Sequence, residues 1–156
     1  MKKIMIALLA LAMLLCVASC TEAGGAYAFT YNGVRLVIDE KADEKLAAIG
    51  APVSTYETGT CGRGDRDRMY VYADFRVTTA EIDGVQYFEA IELLSDQAST
   101  EEGVTIGSSK QAVLDAYGDP TKSEGDTLQY SSGSVDLYFY LAGNQTVKSI
   151  LYKFAK

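Results

Sequence analysis

The hydrophobic pattern changes period along the chain, and each period predicts an element. Apolar residues run unbroken from Ile4 to Ala18. From Tyr27 to Ile38 they alternate on either side of Asn32-Gly33, with Phe29 and Tyr31 before the pair and Val34, Leu36 and Ile38 after it. That pattern predicts a hairpin closed by a type I′ turn, in which both central residues take positive φ. Residues 40–49 switch to helical spacing, with Ala42, Leu46 and Ile49 on one face, Asp39 as the expected cap and Gly50-Ala51-Pro52 as the stop. The same grammar returns at Ser108-Ser109-Lys110-Gln111, a capping box followed by Val113, Leu114 and Tyr117 and closed by Gly118-Asp119-Pro120. These two stops hold the only prolines of the chain.

Alternation of period two follows each helix. Strands are predicted over 69–79 and 85–94 after the first, and over 128–130, 134–141 and 147–154 after the second, with tight returns at Asp83-Gly84 and Gly143-Asn144. In the strand 134–141, Val135, Leu137, Phe139 and Leu141 fall on one face and Asp136, Tyr138 and Tyr140 on the other. One face is then core and the other wet. The expectation is an α+β domain of two tandem helix-plus-antiparallel-meander repeats, about residues 27–100 and 101–156, with the sheet covered by helices on one face. The first half carries an extra stretch within 53–67, which includes Cys61-Gly62-Arg63-Gly64-Asp65.

Lys2 and Lys3 ahead of the apolar run, and small residues behind it, make residues 1–19 a signal peptide. The run is shorter than the ~20 apolar residues that span a bilayer. Its end, Val17-Ala18-Ser19-Cys20, resembles the bacterial lipobox. The resemblance implies cleavage before Cys20, lipid on its sulfur and an extracytoplasmic protein anchored to the bacterial cell membrane. In a two-membrane host, Thr21 in place of an aspartate implies the outer membrane. Residues 20–26 then form a lipidated tether, and 27–156 the domain. Loss of Lys2 and Lys3 takes the net charge from −7 to −9, which disfavours nucleic acid and anionic headgroups as partners.

The order of lipobox, helix, Gly-x-Pro stop and meander, given twice, resembles small lipoproteins of unknown function from Gram-positive gut bacteria with a fold like β-lactamase inhibitor protein. The resemblance rests on Thr60-Cys61-Gly62 through Tyr70-Val71-Tyr72, on Glu102-Gly103-Val104-Thr105-Ile106-Gly107 and on Ala116-Tyr117-Gly118. The unit from Ile106-Gly107 to Pro120 and the strands after it is also similar to small lipoproteins that help assemble outer-membrane barrels. These are signatures of a scaffold. They imply an inhibitor-like or envelope assembly role without fixing contact residues.

Chemistry is limited by what the chain lacks. It contains no histidine, which removes Ser-His-Asp and Cys-His pairs and the usual zinc sites. No cofactor, metal or catalytic residue is expected, and the chain is read as a non-enzyme. Asp39, Glu40, Asp43 and Glu44 cluster where a helix begins, and acids there complement the helix dipole. Asp65 and Asp67 have the opening spacing of a calcium loop without its later ligands. Cys61, with Arg63, Arg66 and Arg68 nearby, is the candidate reactive thiol and would carry any enzyme reading. Arg63-Gly64-Asp65 spells the integrin-binding tripeptide.

The better candidate is a surface. The chain has 11 tyrosines and no tryptophan. Tyr138 and Tyr140 share the outward face of one strand, and Tyr130 and Tyr152 in the flanking strands are expected to extend it. Tyrosine offers contact area and a hydrogen-bonding tip at low entropic cost. The sequence therefore favours a lipid-anchored extracytoplasmic protein that binds a protein of the cell envelope through an open, tyrosine-bearing sheet face. The alternative is a binder of small ligands or cell-wall polymer, which needs a deep aromatic-lined pocket. A thiol-dependent enzyme using Cys61 comes third.

Overall fold

In the computed structural model, the described residues are 26–59, 63–143 and 145–156. The expected signal peptide, Cys20, most of the expected tether, Cys61 and Asn144 of the expected Gly143-Asn144 return lie outside them.

The described residues form ten strands and two helices. The chain opens with a ribbon, β1 (Ala28–Tyr31) and β2 (Val34–Val37), then α1 (Asp43–Ile49). β3 (Ser54–Thr58), β4 (Arg66–Val71), β5 (Phe75–Ile82) and β6 (Val85–Leu93) follow, then α2 (Lys110–Tyr117). β7 (Lys122–Glu124), β8 (Thr127–Ser132), β9 (Val135–Leu141) and β10 (Val147–Phe154) complete it. β3 to β10 form one antiparallel sheet of eight strands in the order β3-β4-β5-β6-β10-β9-β8-β7, and β1-β2 is a separate two-stranded sheet.

This overturns the expected α+β architecture of tandem helix-plus-meander repeats. The chain is mostly β, and its helices have only seven and eight residues. Three differences account for the correction. The strand predicted over 69–79 is two strands, because the chain folds back at Ala73-Asp74 with the Tyr72 amide bonded to the Phe75 carbonyl. β3 and β7 were not foreseen. Both are edge strands with polar sequences, Ser-Thr-Tyr-Glu-Thr and Lys-Ser-Glu, and have no buried face to impose alternation. Nor do helices alone cover the sheet: the β1-β2 ribbon does much of that work. Phe29 and Tyr31 of the ribbon pack on Phe75, with ring centroids 4.9 and 4.7 Å apart.

Other local readings hold. Asn32-Gly33 and Asp83-Gly84 both take positive φ at their tight turns, 51° and 77° in the first, 52° and 78° in the second. Helix α2 starts one residue later than the expected capping box: Ser109 is the cap, and its hydroxyl accepts from the Ala112 amide. Gln111 donates to Asp115, and the Ser108 hydroxyl accepts from the Thr105 amide. The helix ends, as expected, where the Gly118 amide bonds to the Leu114 carbonyl. Helix α1 differs from expectation. Ala42 occupies its cap position and supplies no side-chain bond. Asp39 instead sits at φ 74° in the preceding turn. Residues 39–42 run beside β6: the Asp39 amide bonds to the Phe88 carbonyl, and the Ala42 amide to the Gln86 carbonyl. They take the place along β6 that β10 leaves after Lys153↔Ala90.

One cluster of buried side chains runs from Ala28 to Tyr152. Its sheet side is a row of directly opposed residues, Tyr130, Leu137, Tyr152, Ile91, Val77 and Tyr70, with a second row of Leu128, Phe139, Ile150, Leu93 and Phe75 beside it. Such cross-strand contacts are the unit of sheet stability. Leu137 stands between Tyr130 and Tyr152 in the first row with no exposed surface. Leu137→Ala is expected to lower unfolding free energy by about 2–5 kcal/mol, measured by urea denaturation at unchanged slope. A loss of only a few tenths would show that the row is not closely packed.

Candidate functional site

The sheet register divides the four candidate tyrosines into two pairs. Tyr130 opposes Leu137, and Tyr152 opposes both Leu137 and Ile91, so both point into the core. They are 2% and 1% exposed and cannot extend an outer surface. The expectation failed because a strand's parity is fixed by its partner. In β10, moreover, an irregularity between Val147 and Ser149 interrupts simple alternation. The flanking rows give the signal: Tyr152 shares its parity with Ile150 and Tyr130 with Leu128, both apolar.

The buried pair belongs to an internal tyrosine cluster. The Tyr130 hydroxyl donates to the Gly118 carbonyl at 3.0 Å, tying β8 to the end of α2. Tyr117 lies 5.3 Å from Tyr130 and 5.2 Å from Phe139, centroid to centroid, and its hydroxyl donates to Glu102. Tyr27, at the start of the ribbon, meets Tyr117 edge-on at 5.8 Å. Burial pushes the Tyr130 hydroxyl up to about 12, with the Tyr27 and Asp119 charges adding to the effect. Burial raises Tyr117 and Tyr152 as well.

Tyr138 and Tyr140 are on the outer face of β9 and half-buried. Their rings lie nearly parallel, 12° apart with centroids 6.0 Å apart. Tyr138 is part of an outer row crossing all eight strands, Lys122, Gln129, Tyr138, Leu151, Glu92, Arg76, Val71 and Ser54, each directly opposite the next. The Tyr138 hydroxyl donates to Asp136 at 3.2 Å, and Asp136 also accepts from Ser131. Burial, then the Asp136 carboxylate, raises the Tyr138 hydroxyl, while burial and Glu92 raise Tyr140. Both are therefore neutral hydrogen-bonding tips on apolar rings. Beside Tyr138, a cleft of about 290 Å³ is lined by Lys122, Glu124, Thr127 and Gln129, and Lys122 and Glu124 pair at 2.8 Å.

The other candidates are accounted for locally. Asp39, Glu40 and Asp43 go to different partners, Arg63, Lys45 and Gln86, and Glu44 belongs to the first turn of α1. No group of three or more possible metal ligands occurs among the described residues. Arg63 is held from three sides: it pairs with Asp39, donates to Glu89 at 2.8 Å and lies 3.7 Å over the Phe154 ring. A Cβ on Gly64 would come within 2.6 Å of the Glu81 carbonyl oxygen, and the Asp65 amide bonds to that same carbonyl. The Arg-Gly-Asp tripeptide thus fastens its loop to the sheet. Its arginine is occupied internally.

No family model matches the chain, and no curated protein matches its sequence. Among solved structures, the chain is similar to a cysteine-rich secretory protein of Staphylococcus aureus, at TM-score 0.53 and 9% identity over 85% of this chain and 47% of that one. It spans under half the length of that protein, and the likeness is one of fold. An extracellular protein containing an SCP domain from Bacillus anthracis gives TM-score 0.48 at 13% identity, over 80% of this chain and 47% of that one. A DUF4309 family protein of Bacillus subtilis gives 0.47 at 14%, over 77% and 82%.

The internal tyrosines generate a pH test. Below the ordinary tyrosine value of 10.0, Tyr130 is protonated whether folded or unfolded. Between 10.0 and about 12 the unfolded chain releases this proton and the folded chain keeps it, so stability falls as pH rises through that window. Urea midpoints measured across the window should decline in the parent and decline less steeply in Tyr130→Phe. That variant should also lose about 0.5–1.5 kcal/mol at neutral pH with its hydrogen bond. Equal slopes in the two proteins would show that Tyr130 does not contribute to the alkaline loss.

Proposed function

We propose that this chain is a lipid-anchored, extracytoplasmic binding protein that engages a protein partner of the cell envelope through the outer face of its eight-stranded sheet, around Tyr138 and Tyr140. The observation that carries the reading is the pair of half-exposed parallel rings, flanked by Gln129, Thr127, Ser149 and Leu151 on neighbouring strands. Aromatic rings with polar tips on a rigid strand supply contact area with little ordering cost. The cleft beside Tyr138 has one ring and otherwise polar or charged lining. That suits the rim of a broad contact better than the deep aromatic pocket a small-ligand or wall-polymer binder needs. The absence of histidine supports a binder over an enzyme.

The extracytoplasmic location is supported by the signal-peptide pattern and agrees with the name of one fold neighbour, a secretory protein. Lipid on Cys20 is supported by Val17-Ala18-Ser19-Cys20. It is tested by feeding cells a labelled fatty acid: the parent protein should carry label and Cys20→Ser should not. An unlabelled parent would remove the anchor from the account.

The binding reading is tested by crosslinking in cells, comparing the parent with the Tyr138→Ala, Tyr140→Ala double variant, whose folding is verified by its unfolding midpoint. One envelope protein captured by the parent and lost from the variant is the expected result. The same capture profile for both would place binding elsewhere.

A further inference from the structure

The two edges of the eight-stranded sheet are built differently. An open edge offers unpaired backbone donors and acceptors to any extended strand, and proteins usually blunt it with short strands, lysine, proline or bulges. The β7 edge is blunted in this way: it has three residues, Lys122, Ser123 and Glu124, and the charged pair bridges across it. The β3 edge is not. It runs five residues, Ser54-Thr55-Tyr56-Glu57-Thr58, without lysine, proline or bulge. Tyr56 is 55% exposed, and Val53, just ahead of the strand, is 78% exposed. These are two of three large apolar residues exposed among the described residues.

Charge also favours association at this edge. The protein is acidic overall, yet the one charge on β3, Glu57, already faces Arg66 and Arg68 at 3.7 and 3.6 Å. A second copy approaching here meets a neutral strand. Tyr56 is the middle residue of five, so an antiparallel two-fold pairing centred on it matches every residue of both strands. Tyr56 then opposes Tyr56 of the other copy, Thr55 opposes Glu57, and Ser54 opposes Thr58. No like charges stand opposite one another. Directly opposed residues share a face, so the paired tyrosines extend the outer row of Tyr56, Met69 and Thr78.

We propose that β3 is a self-association edge, through which two copies of this chain pair antiparallel about Tyr56 into one continuous sheet. The interface is independent of the surface around Tyr138 and Tyr140. Two five-residue strands bury less than the ~1,200 Å² of a standard interface, so the dimer is weak and concentration-dependent. Confinement to a surface favours it.

Disulfide trapping in cells that make the full chain tests the register. With Cys61→Ser as background, Tyr56→Cys should give a dimer band on a non-reducing gel after mild oxidation. Ser54→Cys should give none, since about 14 Å then separates the two thiol positions along the strand. The background alone must give no band. Equal bands from both positions, or none from Tyr56→Cys, would overturn the proposal. In a second measurement, sedimentation of the purified protein over a concentration series should show a dimer that Tyr56→Lys abolishes with its unfolding midpoint retained. A parent that stays monomeric throughout, or that pairs only with a different protein, would equally overturn it.

Discussion

The pairing of β10 with β6 is the constraint on which the rest of the molecule depends. More than fifty residues separate these strands in sequence, and their contact joins two four-stranded groups into a single sheet. Its register sets Tyr152 against Ile91 and Leu151 against Glu92. A slip of one residue would carry every side chain of β10 to the opposite face. Tyr152 would then be wet and Lys153 buried, at a cost no compensating contact could meet. Apolar burial on the inner face therefore selects the register, and the register decides which residues the protein presents to solvent.

Much of this was legible from local pattern, and the failures share one cause. Asn32-Gly33, Asp83-Gly84, the serine cap of α2 to within one residue, and the Gly118 stop were readable because their chemistry is contained within a few residues. The alternation of Val135, Leu137, Phe139 and Leu141 identified the inner face of β9 for the same reason. The edge strands β3 and β7 were hidden because an unpaired edge has no buried stripe to write into the sequence. Tyr130 and Tyr152 were misplaced because their orientation depends on distant partners, and because the irregularity near Ser149 shifts the alternation in β10. The helices looked larger in the sequence than in the fold, since residues 39–42 carry helix-start signals but form a turn and an isolated bridge bonded to β6.

The same division separates structural tyrosines from the candidate functional ones. Tyr130 and Tyr152 lie beneath the surface and, with the half-buried Tyr27 and Tyr117, join ribbon, α2 and sheet. Tyr138 and Tyr140, also half-buried, stand on the opposite side of the sheet and face outward beside Gln129, Thr127 and Ser149. Arg63 shows a related economy. Its ion pairs with Asp39 and Glu89 and its contact with Phe154 pin the β3-β4 connection near the end of the β6-β10 seam, so a tripeptide that reads as a recognition motif serves the fold.

Residue-resolved nitration of tyrosines, read by mass spectrometry on the purified dilute protein and on the protein in intact envelopes, tests the central claim most directly. The account predicts that Tyr138 and Tyr140 react in the purified protein and become protected in the envelope, while Tyr130 and Tyr152 resist in both. Rapid nitration of Tyr130 or Tyr152 in the folded protein would contradict the register. Equal reactivity of Tyr138 and Tyr140 in both settings would contradict their role as a contact surface.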